Sequence, residues 1–362
     1  MSQGFQLLSL GGGAAVGVFF LCYPVRSALV RSGIIDRPNQ RSSHSRPTAR
    51  GGGIAIMLVL LVVSGASGLR QSQPAVLVTL LGAAALLAVV SFVDDLRSLP
   101  ARLRLGCHGL AAVAALVVLR ANSLRLVEDS DRFPWPAVAL VWLLCFLWIV
   151  GYTNAFNFMD GIDGLAGGQA LVTGLGMALI GSVVRGQRSV VSGQWSVASD
   201  QWSVPLSFII AGAALGFLPH NFPKARMFMG DVGSAPLGFL LAALVLWIAR
   251  DHGWWLLIPL GLLHANFVLD TGITLARRIL RGERWYEAHR EHFYQRLIRS
   301  GKSHPFVTGL EMALQGVVVG LMVLYLYASV PVRVGLIAVV ILVWLGFFAY
   351  CERVFGRMKA ET

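Results

Sequence analysis

Charged side chains are scarce in this sequence, and that scarcity decides its class. Asp, Glu, Lys and Arg make up 13% of the 362 residues, whereas hydrophobic residues make up 56%. Soluble domains carry about 25% charged residues. No long polar segment separates the apolar runs, which excludes a large water-soluble domain. The composition therefore predicts a polytopic membrane protein with an all-α fold.

A signal peptide and paired cysteines are also lacking. The first apolar run, about 5–30, is followed rather than preceded by arginines, which is the reverse of a secretory signal. We therefore expect it to remain as a membrane helix with its N-terminus outside. The cysteines stand singly in or beside apolar runs, so neither a disulfide framework nor a cysteine zinc site is expected. They are Cys22, Cys107, Cys145 and Cys351.

Eleven apolar runs are candidates for membrane helices, although the fourth is short for a bilayer crossing. They lie at about 5–30, 51–69, 75–93, 105–120, 136–153, 164–184, 204–220, 233–250, 254–273, 306–328 and 332–351. With the N-terminus outside, the cytoplasmic segments are 31–50, 94–104, 154–163, 221–232, 274–305 and 352–362. These segments hold most of the lysines and arginines, as the positive-inside rule requires. The net charge of +12 is therefore explained by topology, and we expect membrane lipids rather than nucleic acid as partners.

Residues 154–168 place polar side chains between two of the apolar runs. Asn154, Asn157, Asp160 and Asp163 recur every three residues, and a bare turn does not require that pattern. Ionisable groups at the ends of membrane helices are a functional-site hypothesis by default. The glycines among them would let a ligand or a neighbouring helix approach the backbone closely. The alternative is a polar turn that is solvated by the cytosol.

Three more aspartates lie in other predicted cytoplasmic segments. Asp94 and Asp95 are adjacent at a predicted helix end, and two neighbouring carboxylates repel each other unless a cation or a proton lies between them. Their oxygens would suit Mg²⁺ if substrate phosphates completed its shell, and a solvated helix end is the alternative. Asp231 lies among glycines, which favours a metal ligand over a structural acid. Phe228, three residues earlier, would stack on a base or sugar, or else anchor the chain at the membrane interface.

Two segments are rich in groups that bind phosphate. Residues 36–53 combine arginines, hydroxyls and a glycine run before a predicted helix, and this predicts an anion cradle because helix N-terminal amides are unpaired. An ordinary positive-inside loop is the alternative. His289 and His292, with Arg290 beside them, would share one face of a helix. Zinc would suit that spacing, but no cysteine is near, so phosphate binding fits better. A basic interfacial helix is the alternative.

Together these motifs resemble glycosyltransferase family 4, the polyprenyl-phosphate N-acetylhexosamine-1-phosphate transferases. The resemblance covers about residues 30–300, and five motifs follow one another in the family's order. They are Asp-x-Pro-Asn-x-Arg-x-x-His with Pro-x-x-Arg-Gly-Gly-Gly (36–53), Asp94-Asp95, Asn157-Phe-Met-Asp-Gly-Ile-Asp-Gly-Leu-Ala, Phe228-Met-Gly-Asp231-x-Gly-Ser and His289-Arg-x-His292. The last motif and the Arg-Ser-Ser-His segment are similar to the branch that starts O-antigen and other surface-polysaccharide units. Ser43 departs from the pattern, since many relatives have lysine before that histidine.

The resemblance implies transfer of an N-acetylhexosamine 1-phosphate from a UDP-sugar to undecaprenyl phosphate, with release of UMP, at the cytoplasmic face of the bacterial inner membrane. It implies Mg²⁺ as the cofactor, with Mn²⁺ as a substitute, and it leaves a homodimer open. Residues 1–362 would form one integral-membrane domain, with a catalytic body at about 30–300 and two C-terminal helices at about 306–351. The implied roles are catalysis for Asp94, Asp95 and His289, substrate binding for Asp160, Asp163, Phe228, Arg290 and His292, and metal binding for Asn157 and Asp231.

A secondary transporter is the alternative from another functional class, because such proteins also have about eleven helices and buried acids. Their binding sites lie near the bilayer midplane, on interrupted helices of two repeated halves. In this chain the ionisable residues gather at one predicted membrane face, and the sequence has no repeat between halves. The pattern therefore favours the transferase.

Overall fold

The computed structural model describes residues 3–38, 46–68, 74–121, 134–192, 202–284 and 289–361. This part of the chain forms thirteen α-helices, one short 3₁₀ turn at Trp254–Leu256 and three short strands. The helices are α1 (Gln3–Arg31), α2 (Gly53–Gly68), α3 (Pro74–Arg97), α4 (Ala101–Ala121), α5 (Trp135–Phe158), α6 (Leu165–Ser192), α7 (Ser203–Asn221), α8 (Asp231–His252), α9 (Leu257–Leu262), α10 (Ala265–Leu280), α11 (Phe293–Arg299), α12 (His304–Tyr327) and α13 (Val330–Glu361). The strands are β1 (Ile35–Asp36), β2 (Thr48–Arg50) and β3 (Met227–Phe228).

Nine of the described helices are long and apolar enough to cross a membrane, namely α1, α3 to α8, α12 and α13. The helical pair around α9 and α10 would make a tenth crossing, although its two parts meet at 73°. Helix α2 is strongly apolar but has only 16 residues. These elements occupy all eleven predicted runs, so the prediction of an all-α, multi-pass membrane protein is confirmed.

The predicted continuous helix at 254–273 is wrong, because the chain breaks between α9 and α10. The break frees the carbonyl of Leu263 from the helical hydrogen-bond pattern, and an unpaired buried carbonyl is costly inside a membrane protein. Three fully buried side chains from α6 and α12 donate to this carbonyl: Gln169 Nε2 at 3.2 Å, Thr173 Oγ1 at 3.2 Å and Gln315 Nε2 at 2.5 Å. The bend is thus stabilised by polar residues of neighbouring helices.

Helix α8 lies at the centre of the bundle. Every residue from Val232 to Ala249 is buried, and the sequence of the helix is apolar on all sides, as expected for a helix enclosed by protein. It packs against α3, α4, α5 and α6. Asp231, its first residue, therefore lies where the ends of several helices meet.

The three strands form a small sheet beside the start of α8, which the sequence did not predict. Strand β1 pairs antiparallel with β2, and β2 pairs parallel with β3, so that Arg50 lies opposite Phe228. After β2 the chain passes very close to the start of α8, since a Cβ added at Gly53 would collide with the backbone of Gly233. Close backbone approach therefore explains a glycine at position 53.

The anion cradle predicted for the glycine run is not formed by its amides. The N–H groups of Gly51 and Gly52 donate to the carbonyl of Phe228, at 3.2 and 2.8 Å. The N–H of Gly53 donates to the carbonyl of Met229 at 2.8 Å. These amides hold β3 against the start of α2, so that interpretation of the glycines is wrong. Residues 39–45 of the same motif lie outside the described residues.

Candidate active site

Asp231 begins α8 and is presented by an unusual backbone turn. Gly230 before it has a φ of 74°, a left-handed conformation that favours glycine. The Asp231 side chain is 20% exposed. Its Oδ1 accepts a hydrogen bond from Arg50 Nη2 at 2.9 Å, and its Oδ2 accepts one from Asn157 Nδ2 at 3.3 Å. A carboxylate in the first turn of a helix also interacts favourably with the helix dipole.

Asp95 accepts hydrogen bonds from the first turn of α8. Its side chain is 1% exposed and forms an ion pair with Arg50 Nη2 at 2.7 Å. Its oxygens accept the N–H groups of Asp231, at 3.3 Å, and of Val232, at 3.2 Å. These amides have no partner within the helix, so Asp95 acts as its cap. Arg50 bridges the two carboxylates and was not singled out individually from the sequence.

Asp94 has different partners, although it is the sequence neighbour of Asp95. Its Oδ1 accepts from the N–H of Leu99 at 2.5 Å, and its Oδ2 accepts from Arg104 Nη1 at 2.8 Å. Arg104 Nη1 also lies 3.8 Å from Asp231 Oδ2. Each of the two neighbouring carboxylates thus has its own arginine, Arg104 for Asp94 and Arg50 for Asp95.

Asn157 and Asp160 bring two more oxygen donors to this cluster. The Oδ1 of Asn157 accepts a short hydrogen bond of 2.5 Å from Ser234 Oγ, one turn into α8. Asp160 is partly buried just after α5. Burial, reinforced by the negative charges of Asp231 and Asp95, raises the pKa of Asp160 to about 7 despite the opposing charge of Arg50. The cluster therefore keeps an excess of negative potential around hard oxygen atoms.

Asp163 ties three segments together. Its Oδ2 accepts from the N–H of Ala225 at 3.0 Å, and its Oδ1 lies 3.3 Å from His304 Nδ1. Its carbonyl accepts from Thr308 Oγ1 at 2.8 Å. These contacts join the α5–α6 turn to the α7–β3 loop and to the start of α12. The predicted contact of Asp163 with substrate stays a prediction beside this structural role.

Phe228 lies beside the carboxylate cluster. It is partly buried on β3, and its ladder partner Arg50 contacts both Asp95 and Asp231. The sheet thus brings the aromatic ring and the acidic side chains to the same end of the protein, as a nucleoside-stacking role would require.

The histidine motif lies in a loop and not on a helix, since α11 begins only at Phe293. The shared helix face, which required a helical segment, therefore does not apply, yet the ring centroids of His289 and His292 are only 4.9 Å apart. His292 Nδ1 lies 2.8 Å from Asp270 Oδ1, and the N–H of Phe293 donates to Asp270 Oδ2 at 2.9 Å. A carboxylate at Nδ1 favours the tautomer that carries its proton there. Asp270 therefore orients His292.

His289 and Arg290 differ in the charge they can offer to a phosphate. Burial, and then the nearby charges of His292 and Arg278, lower the pKa of His289 to about 4, so this imidazole is neutral at pH 7. Among the described residues its Nδ1 has no hydrogen-bond partner. Arg290 remains a cation, and its carbonyl accepts from Arg299 Nη1 at 3.2 Å. Any interaction of His289 with phosphate would therefore be a hydrogen bond rather than an ion pair.

Tyr294 connects the histidine loop to the turn that carries Asp160. Its hydroxyl donates to the carbonyl of Phe158 at 3.1 Å, and its ring is stacked on that of His292 with centroids 5.9 Å apart. The side chain is fully buried. Arg104, Asp270 and Tyr294 were not among the residues predicted from the sequence, although a carboxyl group inside an apolar run marks Asp270 as unusual.

Comparison with known proteins agrees with the motifs. The profile of glycosyl transferase family 4 matches residues 77–249. The chain is 30% identical over 328 residues to decaprenyl-phosphate N-acetylglucosaminephosphotransferase of Mycobacterium tuberculosis (strain CDC 1551 / Oshkosh), covering 83% of this chain and 77% of that protein.

Two further relatives carry similar names. The probable undecaprenyl-phosphate N-acetylglucosaminyl 1-phosphate transferase of Bacillus subtilis (strain 168) is 29% identical over 289 residues, which are 77% of this chain and 74% of the relative. The undecaprenyl-phosphate alpha-N-acetylglucosaminyl 1-phosphate transferase of Thermotoga maritima is 29% identical over 241 residues, or 66% of each chain. The identity, the coverage and the ordered motifs lead to one conclusion: this chain belongs to glycosyl transferase family 4, the family of polyprenyl-phosphate N-acetylhexosamine-1-phosphate transferases.

Proposed function

We propose that this protein transfers an N-acetylhexosamine 1-phosphate from a UDP-sugar to undecaprenyl phosphate, releasing UMP, to start a lipid-linked surface polysaccharide. The observation that carries the proposal is the meeting of Asp231, Asn157 and Asp160 beside Arg50 at the start of the central helix. The names of the relatives support the general transfer reaction. The UDP donor and the surface-polysaccharide branch rest on the sequence motifs.

In the proposed reaction, an oxygen of the lipid phosphate attacks the phosphorus that carries the sugar. The bond from that phosphorus to the bridging oxygen breaks, and UMP leaves with the bonding electrons. A phosphate monoester has its second pKa near 6, so the attacking group is largely dianionic at neutral pH. The reaction therefore needs positioning and charge neutralisation more than a strong base.

This requirement suits the partners of Asp94 and Asp95. Both carboxylates are occupied by arginines and backbone amides, and Asp95 is almost fully buried. We therefore assign them positioning roles: Asp95 fixes the start of α8, and Asp94 fixes Arg104. Neither assignment requires either group to accept a proton during the reaction.

Asp231, at the start of α8, and Asn157, near the end of α5, would hold Mg²⁺ as its protein ligands. Mg²⁺ prefers oxygen donors and is often held by one or two carboxylates together with substrate phosphates and water. In the described ranges no three His, Cys, Asp or Glu side chains converge as a metal site, which suits an ion that takes other ligands from substrate. Burial and, after it, the charges of Asp231 and Asp95 raise the pKa of Asp160, and a bound cation would offset the repulsion among these carboxylates. When bound, Mg²⁺ or Mn²⁺ would reduce repulsion between the two phosphate substrates.

The histidine loop would provide further phosphate-binding groups. Arg290 would contribute positive charge, and the neutral His289 would contribute a hydrogen bond. His292 would be held in position by Asp270. Phe228 would stack on the uracil, with Asp163 near the nucleoside.

We place this site at the cytoplasmic face of the bacterial inner membrane, with the N-terminus outside. The test uses single cysteines in a background that lacks the native ones, labelled in intact cells with a membrane-impermeant thiol reagent. Arg290→Cys should remain unlabelled, while Ser329→Cys, between α12 and α13 and predicted to be external, should be labelled. The reverse pattern would overturn the orientation.

The decisive test of function uses the purified full-length protein with undecaprenyl phosphate, Mg²⁺ and a panel of UDP-sugars. We expect one UDP-N-acetylhexosamine to give a lipid-linked sugar and an equal amount of UMP. The Asp231→Asn variant is the matched control for contaminating enzymes. Absence of lipid product with every UDP-N-acetylhexosamine would refute the proposal and favour the alternative function, a secondary transporter.

A further inference from the structure

A basic cavity of about 210 Å³ lies between α11 and the end of α13. It shares no lining residue with the carboxylate cluster. Four cationic side chains, one carboxylate and one aromatic ring face it: Arg281, Glu291, Arg296, Arg299, Phe355 and Lys359. The cavity therefore carries a net positive charge.

Three of these cations are gathered around a single ring. The guanidinium carbons of Arg296 and Arg299 lie 5.6 and 4.9 Å from the centroid of Phe355, and Lys359 Nζ lies 5.0 Å from it. Each contact with the ring is favourable by itself. The cations nevertheless repel one another at this spacing, so an anion between them would relieve a repulsion that the ring alone does not cancel.

Two of the cations are already engaged. Arg296 Nη1 contacts both oxygens of Glu352, at 2.7 and 2.9 Å, and its Nε donates to the carbonyl of Glu291. Arg281 lies 3.1 Å from the Glu291 carboxylate. These two arginines therefore have their charge balanced by carboxylates and mainly shape the wall of the cavity.

The other two cations keep capacity for a ligand. In the part of the chain that the structure describes, neither Arg299 nor Lys359 forms an ion pair. Arg299 donates from Nη1 to the carbonyl of Arg290, which leaves further N–H donors of its guanidinium. Lys359 has three ammonium donors. Two cations with spare donors beside an aromatic floor suit the oxygens of a phosphate group.

The position of the cavity along α13 indicates where that phosphate comes from. The apolar part of α13 ends near Cys351, and polar residues follow from Glu352. At 1.5 Å per residue, Phe355 lies about 6 Å and Lys359 about 12 Å beyond that point along the helix. The headgroup layer on each side of a bilayer is about 5 to 8 Å thick. Phe355 is therefore level with the headgroup layer, and the Lys359 ammonium lies 5.0 Å from its ring.

From these observations we propose that the cavity between α11 and α13 binds a phosphate-bearing anion, supplied by the headgroup of an acidic phospholipid in the leaflet beside the candidate active site. The ligand would also stabilise the histidine loop. Arg299 and Arg296 hold the carbonyls of Arg290 and Glu291, so anchoring these arginines anchors the middle of the loop, between His289 and His292. The binding site itself does not depend on the proposed transferase activity.

The test measures binding rather than turnover. The purified full-length protein is delipidated and titrated with phosphatidylglycerol or phosphatidylcholine, and bound lipid is counted by native mass spectrometry. Wild type should retain one phosphatidylglycerol selectively. Arg299→Gln and Lys359→Gln should each weaken it about fivefold, since a basic residue near an anionic surface contributes about that factor, and the double variant about twenty-fivefold.

Arg357→Gln is the matched control, because it removes the same charge from the same helix and does not line the cavity. It should retain the lipid like wild type. Equal weakening by Arg357→Gln, or full retention by the double variant, would overturn the proposal in favour of general surface charge. Equal thermal midpoints in phosphatidylcholine nanodiscs would verify that the variants are folded.

A second arm identifies the source of the phosphate. Thermal unfolding is compared in phosphatidylcholine nanodiscs, in the same nanodiscs with phosphatidylglycerol, and in phosphatidylcholine nanodiscs with inorganic phosphate in the buffer. A higher midpoint with phosphatidylglycerol alone, lost in the double variant, supports the lipid. The same variant-sensitive rise with inorganic phosphate would keep the anion site and overturn its lipid source.

Discussion

The carboxylate cluster at the start of α8 and the histidine loop at 289–292 have opposite electrostatics. In the cluster, Arg50 bridges Asp95 and Asp231. Asp160 adds a third carboxyl group, whose pKa is raised to about 7 by burial and by the negative charges of Asp231 and Asp95. In the histidine loop, burial lowers the pKa of His289 to about 4, while Arg290 stays positive. One region is therefore prepared for a cation and the other for an anion.

The two regions are held in a similar way, each by a buried aspartate at the start of a helix. The cluster is fixed by the unpaired amides of α8, which Asp95 caps. The histidine loop leads into α11, and the buried Asp270 from α10 accepts the first N–H of that helix and contacts His292. Tyr294 connects the two regions through the carbonyl of Phe158. The comparison indicates that contacts between different helices position the proposed metal-binding and phosphate-binding residues relative to each other.

The largest effect is expected for Asp231→Asn, which would remove the proposed metal-binding carboxylate from the cluster at the start of α8. Loss of a metal-binding carboxylate should lower kcat/KM by about a thousandfold or more, because a Lewis-acid metal contributes several kcal/mol and each 1.4 kcal/mol is tenfold. Thermal stability should change little, since the variant relieves repulsion with Asp95 and Asp160 but weakens the attraction to Arg50. Activity within about tenfold of wild type would exclude Asp231 as a metal ligand.

Asp270→Asn should have the next largest effect on activity, because Asp270 holds the histidine loop. The amide offers only one acceptor oxygen, so either His292 or the N–H of Phe293 loses its partner. We expect kcat to fall about 10- to 100-fold, the range found when residues that orient a functional histidine are replaced. The matched control is Glu311→Gln, which alters another buried carboxyl group on α12. Equal losses in both variants would indicate general damage to the core rather than positioning of His292.

Phe228→Ala would sharpen the comparison by separating nucleotide binding from phosphate chemistry. Loss of base stacking, about 1 to 3 kcal/mol, should raise the KM for the UDP-sugar roughly 10- to 100-fold. The KM for undecaprenyl phosphate should change little, and Phe228→Tyr should keep the stacking. Steady-state kinetics with each substrate varied in turn provides the measurement. An unchanged KM for the UDP-sugar would leave Phe228 as an interfacial anchor only.

The smallest effect concerns pH. Mg²⁺ favours the ionised form of Asp160, so below its pKa of about 7 a proton must be released when the ion binds. Mg²⁺ affinity should therefore fall up to about tenfold per pH unit below 7 and become constant above it. Calorimetry in buffers of different ionisation enthalpy would detect the proton. Asp160→Asn should reduce both the pH dependence and the proton release, leaving the share of Asp95, whose pKa is also raised to about 7 by burial and by Asp231. An unchanged pH dependence would exclude Asp160 as a titrating group.

The same raised pKa affects the metal-free protein in the opposite sense. A carboxyl group that binds its proton more tightly when folded favours folding at low pH. Its contribution to stability is lost as the pH rises from the ordinary aspartate value of 3.8 to about 7. Thermal midpoints of wild type should therefore decline relative to those of Asp160→Asn over this interval.

The sequence by itself determined the class of the protein, its eleven apolar elements and its family. A long apolar run has one stable arrangement in a bilayer, because only a helix satisfies its backbone hydrogen bonds locally. Cys22, Cys107, Cys145 and Cys351 are free thiols in the structure, and Cys22 and Cys351 are buried. The motif aspartates could be found because carboxylates are rare among apolar residues.

Only the tertiary structure decided which partner each of these groups has. Arg50 and Asp231 are 181 residues apart in sequence, and Asp270 and His292 are 22 apart, so no local spacing predicts either contact. The break at Leu263 depends on donors from two other helices, and the strands depend on pairing between distant loops. The physical reason is that hydrogen bonding within a helix is local, whereas neutralising a buried charge or an orphaned carbonyl requires a group that only packing brings near.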